Sequence, residues 1–306
     1  MTEIFSRSYS GPHDFQAMLD LISNARPPAW MFDFPGIADM QELYASPDLQ
    51  AATRLWWAGP RLAAFAFVME PYHNLYFEVW PDAWCEALED GIIQWATGCL
   101  REINLDSSEP LTLDTTSRNE DIRRVAMISR HGFVPQPVYT IHLRRDLTLP
   151  IPEPHLPAGF SIRPLAGESE VGALVALHRA AFGTENMTVK ERLYIMHAPE
   201  FIPELDLVVV SPDGRLAAYC TCGIPVEANA QTGSHNGFTD PVAVHPDFQK
   251  SGLARAMLLY GMKLLKERGS LIATLGTSSD NIGMQKAARS VGFEVESSFR
   301  WYSKKL

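Results

Sequence analysis

Asp240 to Gly269 reads DPVAVHPDFQKSGLARAMLLYGMKLLKERG, and this stretch decides how the rest of the chain is understood. It predicts a strand from Asp240 to His245, a break at Pro246-Asp247, a short loop and an amphipathic helix opening near Gly252. Leu253, Ala256, Met257, Tyr260, Gly261, Leu264 and Leu265 recur at the spacing that buries one helix face, and Gly269 supplies the stop. The loop, Gln249-Lys250-Ser251-Gly252-Leu253-Ala254, sets small residues at the helix mouth. The first N–H groups of a helix have no partner within it, and the helix dipole adds partial positive charge there. Such a turn is suited to an anion such as a pyrophosphate. An ordinary strand-loop-helix connection with a glycine at the helix start is the other reading of these residues taken alone.

Working outward, residues 271–293, LIATLGTSSDNIGMQKAARSVGF, predict a strand over Leu271 to Thr277, then Asn281, a short helix and Gly292-Phe293. Upstream lie a strand at Phe160 to Leu165, helices near Glu170 to Phe182 and Thr188 to His197, and strands at Asp206 to Val210 and Arg215 to Cys222. A long connection, 224–239, leads into the central stretch. The first half repeats this order. Strands are expected at Thr53 to Ala58, Arg61 to Val68, Leu75 to Trp80 and Leu111 to Thr115. Helices are expected near His13 to Asn24, Asp39 to Tyr44, Ala83 to Ile103 and Asp121 to Arg130, and the half closes on a hairpin-like Phe133 to Leu143. Short matches recur in the same order, shifted by 154, 165 and 160 residues: Arg61-Leu62-Ala63-Ala64 with Arg215-Leu216-Ala217-Ala218, Val79-Trp80-Pro81-Asp82 with Val244-His245-Pro246-Asp247, and Gly132-Phe133 with Gly292-Phe293. The proline-rich run after residue 148 reads as a stiff linker. The expected layout is a domain at 1–148, a linker at 149–159 and a second domain at 160–306.

Gln-x-x-Gly-x-Ala after a Val-x-Val-x-Pro strand, followed by Asn281 and Gly292-Phe293, resembles the acyl-CoA-binding signatures of the GNAT N-acetyltransferase superfamily. The likeness covers 215–306 most specifically and the first half in outline. It implies two tandem α/β domains, each a mixed, mostly antiparallel central sheet flanked by helices. It also implies direct acyl transfer from acetyl-CoA, as co-substrate, to the primary amine of a small molecule. By position, Val242, Ala243 and Val244 would pair with the pantetheine arm; Gln249, Lys250, Ser251, Gly252, Leu253 and Ala254 would surround the pyrophosphate; and Asn281 would lie near the pantetheine. In the first half, alignment on the shared Pro-Asp loses the glycine and puts Glu86, Glu89 and Asp90 at the helix mouth. Carboxylates there would repel a pyrophosphate, so this domain is expected to be a degenerate copy that binds no acyl-CoA.

An amine attacks only when neutral, so a proton acceptor is required. Asp240, at the start of the central strand, is the first candidate and Glu227 in the long connection the second. A strand-entry role for Asp240, a strand-end role for His245 and water-relayed deprotonation stay open. Many family members carry a Tyr at the position of Ala288, so Tyr302 on the last strand or Ser279 would have to supply a general acid. Otherwise the thiolate leaves unaided. His235 and Asn236, and the aromatic Trp30, Phe32 and Phe34, are candidates for the acceptor pocket.

With 306 residues, 46% hydrophobic and 20% charged, the composition is that of a globular chain long enough for two domains. No apolar run approaches a membrane span and the amino-terminal residues lack a secretion pattern, which predicts a cytoplasmic protein without a membrane partner. The net charge of −10 argues against nucleic-acid binding. Cys220 and Cys222 alternate onto one strand face and read as small buried residues, and no metal site is expected. A monomer or homodimer is expected. The rival class is a non-catalytic acyl-CoA-binding or interaction protein on the same scaffold; a dinucleotide-binding fold is disfavoured because no Gly-x-Gly-x-x-Gly follows an early strand.

Overall fold

The computed structural model describes residues 4–70, 73–103 and 111–306. In chain order its elements are β1 (Ile4–Ser8), α1 (Pro12–Ala25), α2 (Ile37–Leu43), α3 (Pro47–Ala51), β2 (Thr53–Ala58), β3 (Arg61–Met69), β4 (Asn74–Val79), α4 (Glu86–Ile103), β5 (Thr112–Arg118), α5 (Ile122–Arg130) and β6 (Val134–Asp146). There follow β7 (Ser161–Pro164), α6 (Val171–Phe182), α7 (Val189–Met196), β8 (Asp206–Val210), β9 (Leu216–Gly223), α8 (Val226–Thr232), β10 (Asn236–Val244), α9 (Leu253–Glu267), β11 (Ile272–Ser278), α10 (Ile282–Ser290) and β12 (Glu294–Lys305).

The chain forms two compact units, and they are not the consecutive segments 1–148 and 160–306. The first comprises Met1–Tyr139 with Phe299–Leu306, the second Thr140–Ser298. In the first, β1 to β5 pair in chain order and the end of β12 completes the sheet, with Phe299 to Lys305 antiparallel to β5. In the second, β7 to β11 pair in chain order and the end of β6 completes the sheet, with Thr140 to Asp146 antiparallel to β11. Each half of the chain thus donates its last strand to the other unit. The expected hairpin at Phe133 to Leu143 is instead one long strand, β6, and this is the strand exchanged. Within each unit every pairing is antiparallel except β4 with β5 and β10 with β11.

Apolar periodicity explains the layers. In the first unit, α4 buries Leu88, Ile92, Ala96 and Leu100 against one sheet face with Phe77, Val79 and Tyr302, while α1 and α2 bury Met18, Leu21, Ile22 and Met40 against the other with Phe65 and Phe67. Strand β3 meets helices on both faces, which is why it reads as a continuous apolar run rather than an alternating one. In the second unit, α6 packs Leu174 and Leu177 on Val208, Tyr219 and Ala243. Helix α9 covers the opposite face with Leu253, Met257, Leu258 and Leu265, each contributing about 1.5–3 kcal/mol on burial. Its Gly261 is required by close approach, since a Cβ there would lie 2.6 Å from the Cys222 sulfur. Cys220 and Cys222 are buried side by side, as alternation predicts. The hydrogen bond to Cys222 and burial push the Cys220 thiol well up, away from reactivity. Among the described residues no helix is long and apolar enough to cross a membrane, and no group of three or more metal-ligating side chains comes together.

Candidate active site

The central strand starts earlier than its sequence suggests, at Asn236, and its first residues do the pairing. Asn236, Gly237 and Phe238 pair with Ile272, Ala273 and Thr274 of β11; beyond them the two strands part. On its other edge β10 stays paired to β9 as far as Val244, with a register shift between Thr239 and Val242. Pro241 explains the shift, because it has no N–H to give and within a sheet is accommodated at a bulge or an edge. The backbone of Asp240 to Val244 therefore faces an opening where β11 would otherwise continue. Across that opening the Gly276 N–H donates to the Asp240 carboxylate at 3.2 Å.

The opening leads to the mouth of α9. The turn before it is fixed by side chains: the Asp247 N–H donates to His245 Nδ1 at 3.2 Å, Arg215 pairs with Asp247 at 2.9 Å and lies over the Phe248 ring, and the Ser251 hydroxyl donates to the Phe248 carbonyl. Lys250 (φ 61°) and Gly252 (φ 84°) are both left-handed, and a Cβ on Gly252 would meet nothing within 4 Å. No side chain caps the helix. Gln249, Lys250, Ser251 and Gly252 are exposed around this mouth, while Leu253 is buried and anchors the first turn, offering only its backbone. Val242 and Val244 are half-buried at the opening, Ala254 is half-buried in the first turn of α9, and Ala243 is turned into the core against α6. These observations fit an acyl-CoA: an uncapped, glycine-led helix start for the pyrophosphate beside an open strand edge for the pantetheine amides.

The expected catalytic residues fare unequally. Asp240 is half-buried at the opening. Glu227 lies in the first turn of α8, a helix in the stretch expected to be a loop; Pro225 and the left-handed Gly233 bracket it. The Glu227 N–H donates to the Glu200 carboxylate at 2.9 Å, and burial pushes the Glu200 carboxyl above the ordinary range against that bond. Sequence reasoning missed Glu200, since nothing local marks a carboxylate 27 residues away as a cap. Tyr302 is a correction: it lies on the part of β12 that joins β5, 5% exposed and packed into the core of the first unit. Ala288 is fully buried and has no hydroxyl. Asn281 caps α10, its side chain accepting from the Met284 N–H at 3.0 Å, so its oxygen is engaged in holding that helix start. His245 is a turn residue, and His235 gives its carbonyl to the Leu271 N–H at 2.7 Å. Trp30 and Phe34 line a cavity of the first unit and Phe32 packs on its core.

That cavity, about 250 Å³, stands at the same topological place in the first unit. Strands β4 and β5 pair only at Asn74–Asp114 and Leu75–Thr115 and then part. Charged side chains line the cavity and bridge the gap between the strands. Arg26 holds Glu78 at 2.5 Å, Arg124 reaches Glu78 at 3.4 Å and donates to the Phe77 carbonyl at 2.9 Å, and Arg118 grips Asp33 with two bonds of 2.6 Å. Burial would raise the Glu78 carboxyl, but Arg26 and Arg124 outweigh it and hold it below the usual range. Burial pushes Asp33 up despite Arg118. At the mouth of α4, Arg130 collects Glu86, Glu89 and Asp90 at 3.4, 2.7 and 3.6 Å.

Residues 173–293 match the model of the acetyltransferase (GNAT) family, and this match lies within the unit that holds the β10–β11 opening. Two relatives sharpen this. The mycothiol acetyltransferase of Pseudarthrobacter chlorophenolicus is 29% identical over 175 residues, 55% of this chain and 52% of its own length. The mycothiol acetyltransferase of Frankia alni is 26% identical over 204 residues, 63% of this chain and 61% of its own. Matching regions of this chain thus span from about half to three-fifths of these curated relatives. In fold, the chain is similar to a GCN5-related N-acetyltransferase from Sphaerobacter thermophilus (TM-score 0.74, 21% identity, 99% of this chain and 95% of that one). It is also similar to a tandem GNAT protein from the clavulanic acid biosynthesis pathway (TM-score 0.65, 15% identity, 99% and 98%).

Proposed function

We propose that this protein is an acetyl-CoA-dependent N-acetyltransferase acting on the primary amine of a small molecule, with the second unit as its catalytic part and the first as a scaffold that binds no acyl-CoA. One observation carries the reading: β10 and β11 part after Phe238 beside a helix that opens on an uncapped, left-handed Gly252. The names of the relatives support acetyl transfer; at 26–29% identity over part of their length they do not carry the acceptor.

Bound acetyl-CoA would supply the thioester acyl group. Val242 and Val244 offer backbone to its pantetheine arm, the N–H groups at Gly252 to Ala254 offer donors to its phosphates, and Gln249, Lys250 and Ser251 border them. Asp240 is the carboxylate at the opening and is assigned to removal of the proton from the incoming ammonium, directly or through a neighbouring group, with Glu227 as the second candidate. Ala288 supplies no hydroxyl and Tyr302 is buried in the core of the first unit, which leaves Ser279 as the hydroxyl candidate for the acid, or a thiolate of ordinary pKa near 8.5 that departs unaided.

A panel of small amines assayed for CoA release tests this directly. Turnover with at least one amine is expected. Acetyl-CoA bound tightly but released unchanged in the presence of every amine would favour the second reading, a non-catalytic acyl-CoA-binding protein, to which the missing acid at Ala288 points.

A further inference from the structure

Strand β6 brings one more titratable side chain to the opening. His142 is the register partner of Gly276 on β11. A methyl group at Gly276 would sit 3.3 Å from Asp240 Oδ2 and 4.0 Å from both Cδ2 and Nε2 of His142. The absent side chain therefore leaves one small space that a carboxylate from β10 and an imidazole from β6 both reach. Both groups are half-buried, and the Gly276 N–H holds the carboxylate at the edge of that space. All three strands meet within the second unit, yet His142 comes from the first half of the chain, carried over by the strand exchange.

We propose that His142 is a catalytic residue that accepts the proton of the acceptor ammonium, with Asp240 stabilising the imidazolium that results. The proposal rests on the acetyltransferase reading. In the step, an N–H bond of the ammonium breaks and its proton joins the neutral imidazole nitrogen. The freed lone pair is the nucleophile, and the imidazolium returns its proton to water. An imidazole titrates near the pH at which such a base works best. The charged groups around it in this unit are Asp240 on β10, Arg144 along β6 and Glu296 on β12, the last two paired at 3.7 Å; the same face of β11, Ile272, Thr274, Gly276 and Ser278, carries none. The Asp240 carboxylate is the charge that shares the space at Gly276 with the imidazole.

The test is the pH dependence of kcat/KM for the full chain and for His142→Gln, with acetyl-CoA and the best amine of the panel, beside calorimetric acetyl-CoA binding by both. The wild type is expected to show a rising limb between about pH 5 and 8. The variant is expected to bind acetyl-CoA as before, to lose that limb and to lose about 100-fold in kcat. A wild-type profile without such a limb overturns the assignment even if the variant fails to fold. A variant with the wild-type rate and profile, or one that loses acetyl-CoA affinity along with turnover, overturns it while leaving the acetyltransferase reading in place. A wild type that binds acetyl-CoA but transfers to no amine overturns both.

Discussion

Both units part the same pair of strands. In the first, β4 leaves β5 after Leu75 and the gap is closed by Arg26, Glu78 and Arg124; in the second, β10 leaves β11 after Phe238 and the gap is bounded by Gly276, Asp240 and the mouth of α9. The helices beyond the gaps start alike, capped by Asp121 and by Asn281, each accepting from the N–H three residues on. Three residues into that register the first unit has Arg124, bonded to the Phe77 carbonyl, and the second has Met284. On the strand, Glu78 stands where the shared Val-x-Pro-Asp run puts Ala243. The fold therefore tolerates either an open edge or a plugged one, and the choice lies in a few side chains. Small residues leave backbone available to a ligand; long charged ones consume it. The α4 mouth completes the contrast, since Arg130 neutralises three carboxylates where the α9 mouth offers exposed N–H groups.

If Glu78 is the keystone of the plugged edge, Glu78→Gln takes the paired carboxylate from the buried Arg26 and one of two carboxylates from Arg124, which keeps Asp121 at 3.2 Å. It should cost on the order of 3 kcal/mol in thermal or denaturant unfolding while acetyl-CoA affinity of the folded protein is kept. The sign with pH follows from its depressed folded-state pKa. The contribution is present above the unfolded value of about 4.3 and is lost as pH falls through the lower folded value. The gap between wild type and variant should therefore close in acid; a gap constant from pH 7 to pH 3 would remove the ion network from the account.

On the open side, Gly252→Glu imports the acidic mouth of the first unit. A side chain there must take φ near 84° and places a carboxylate at the proposed phosphate site, so acetyl-CoA affinity should fall at least 100-fold with the fold intact. An unchanged affinity would move the phosphate site away from α9. The smallest effect is expected for Asn281→Ala. Loss of the cap on α10 should cost about 1 kcal/mol of stability, measured by the unfolding midpoint. Asp121→Ala should cost a similar amount in the first unit, since the two caps are the feature the units share.

Much of this was legible in the sequence because it is local. The period of α9, the glycine at its start and the ordering of strands along each half all depend on neighbours a few residues apart. Helix α8 was also written locally, in the helix-forming run Ala228 to Gln231 between Pro225 and Gly233, and was hidden by expecting a loop. The strand exchange was not legible. Alternation says that residues 134–146 and 294–305 form strands but not which neighbour each joins, and that ambiguity put Tyr302 at the wrong site and left His142 unnoticed. Nor could spacing reveal that Arg26, Glu78 and Arg124 meet, since only the folded sheet brings such distant residues together.

The contrast between the two openings is tested most directly by calorimetric titration of the full chain with acetyl-CoA, read for stoichiometry. One site per chain, abolished by Gly252→Glu and untouched by Glu86→Gln, is the expected result. Two sites per chain would contradict it, because the gap closed by Arg26, Glu78 and Arg124 would then have to open to a ligand.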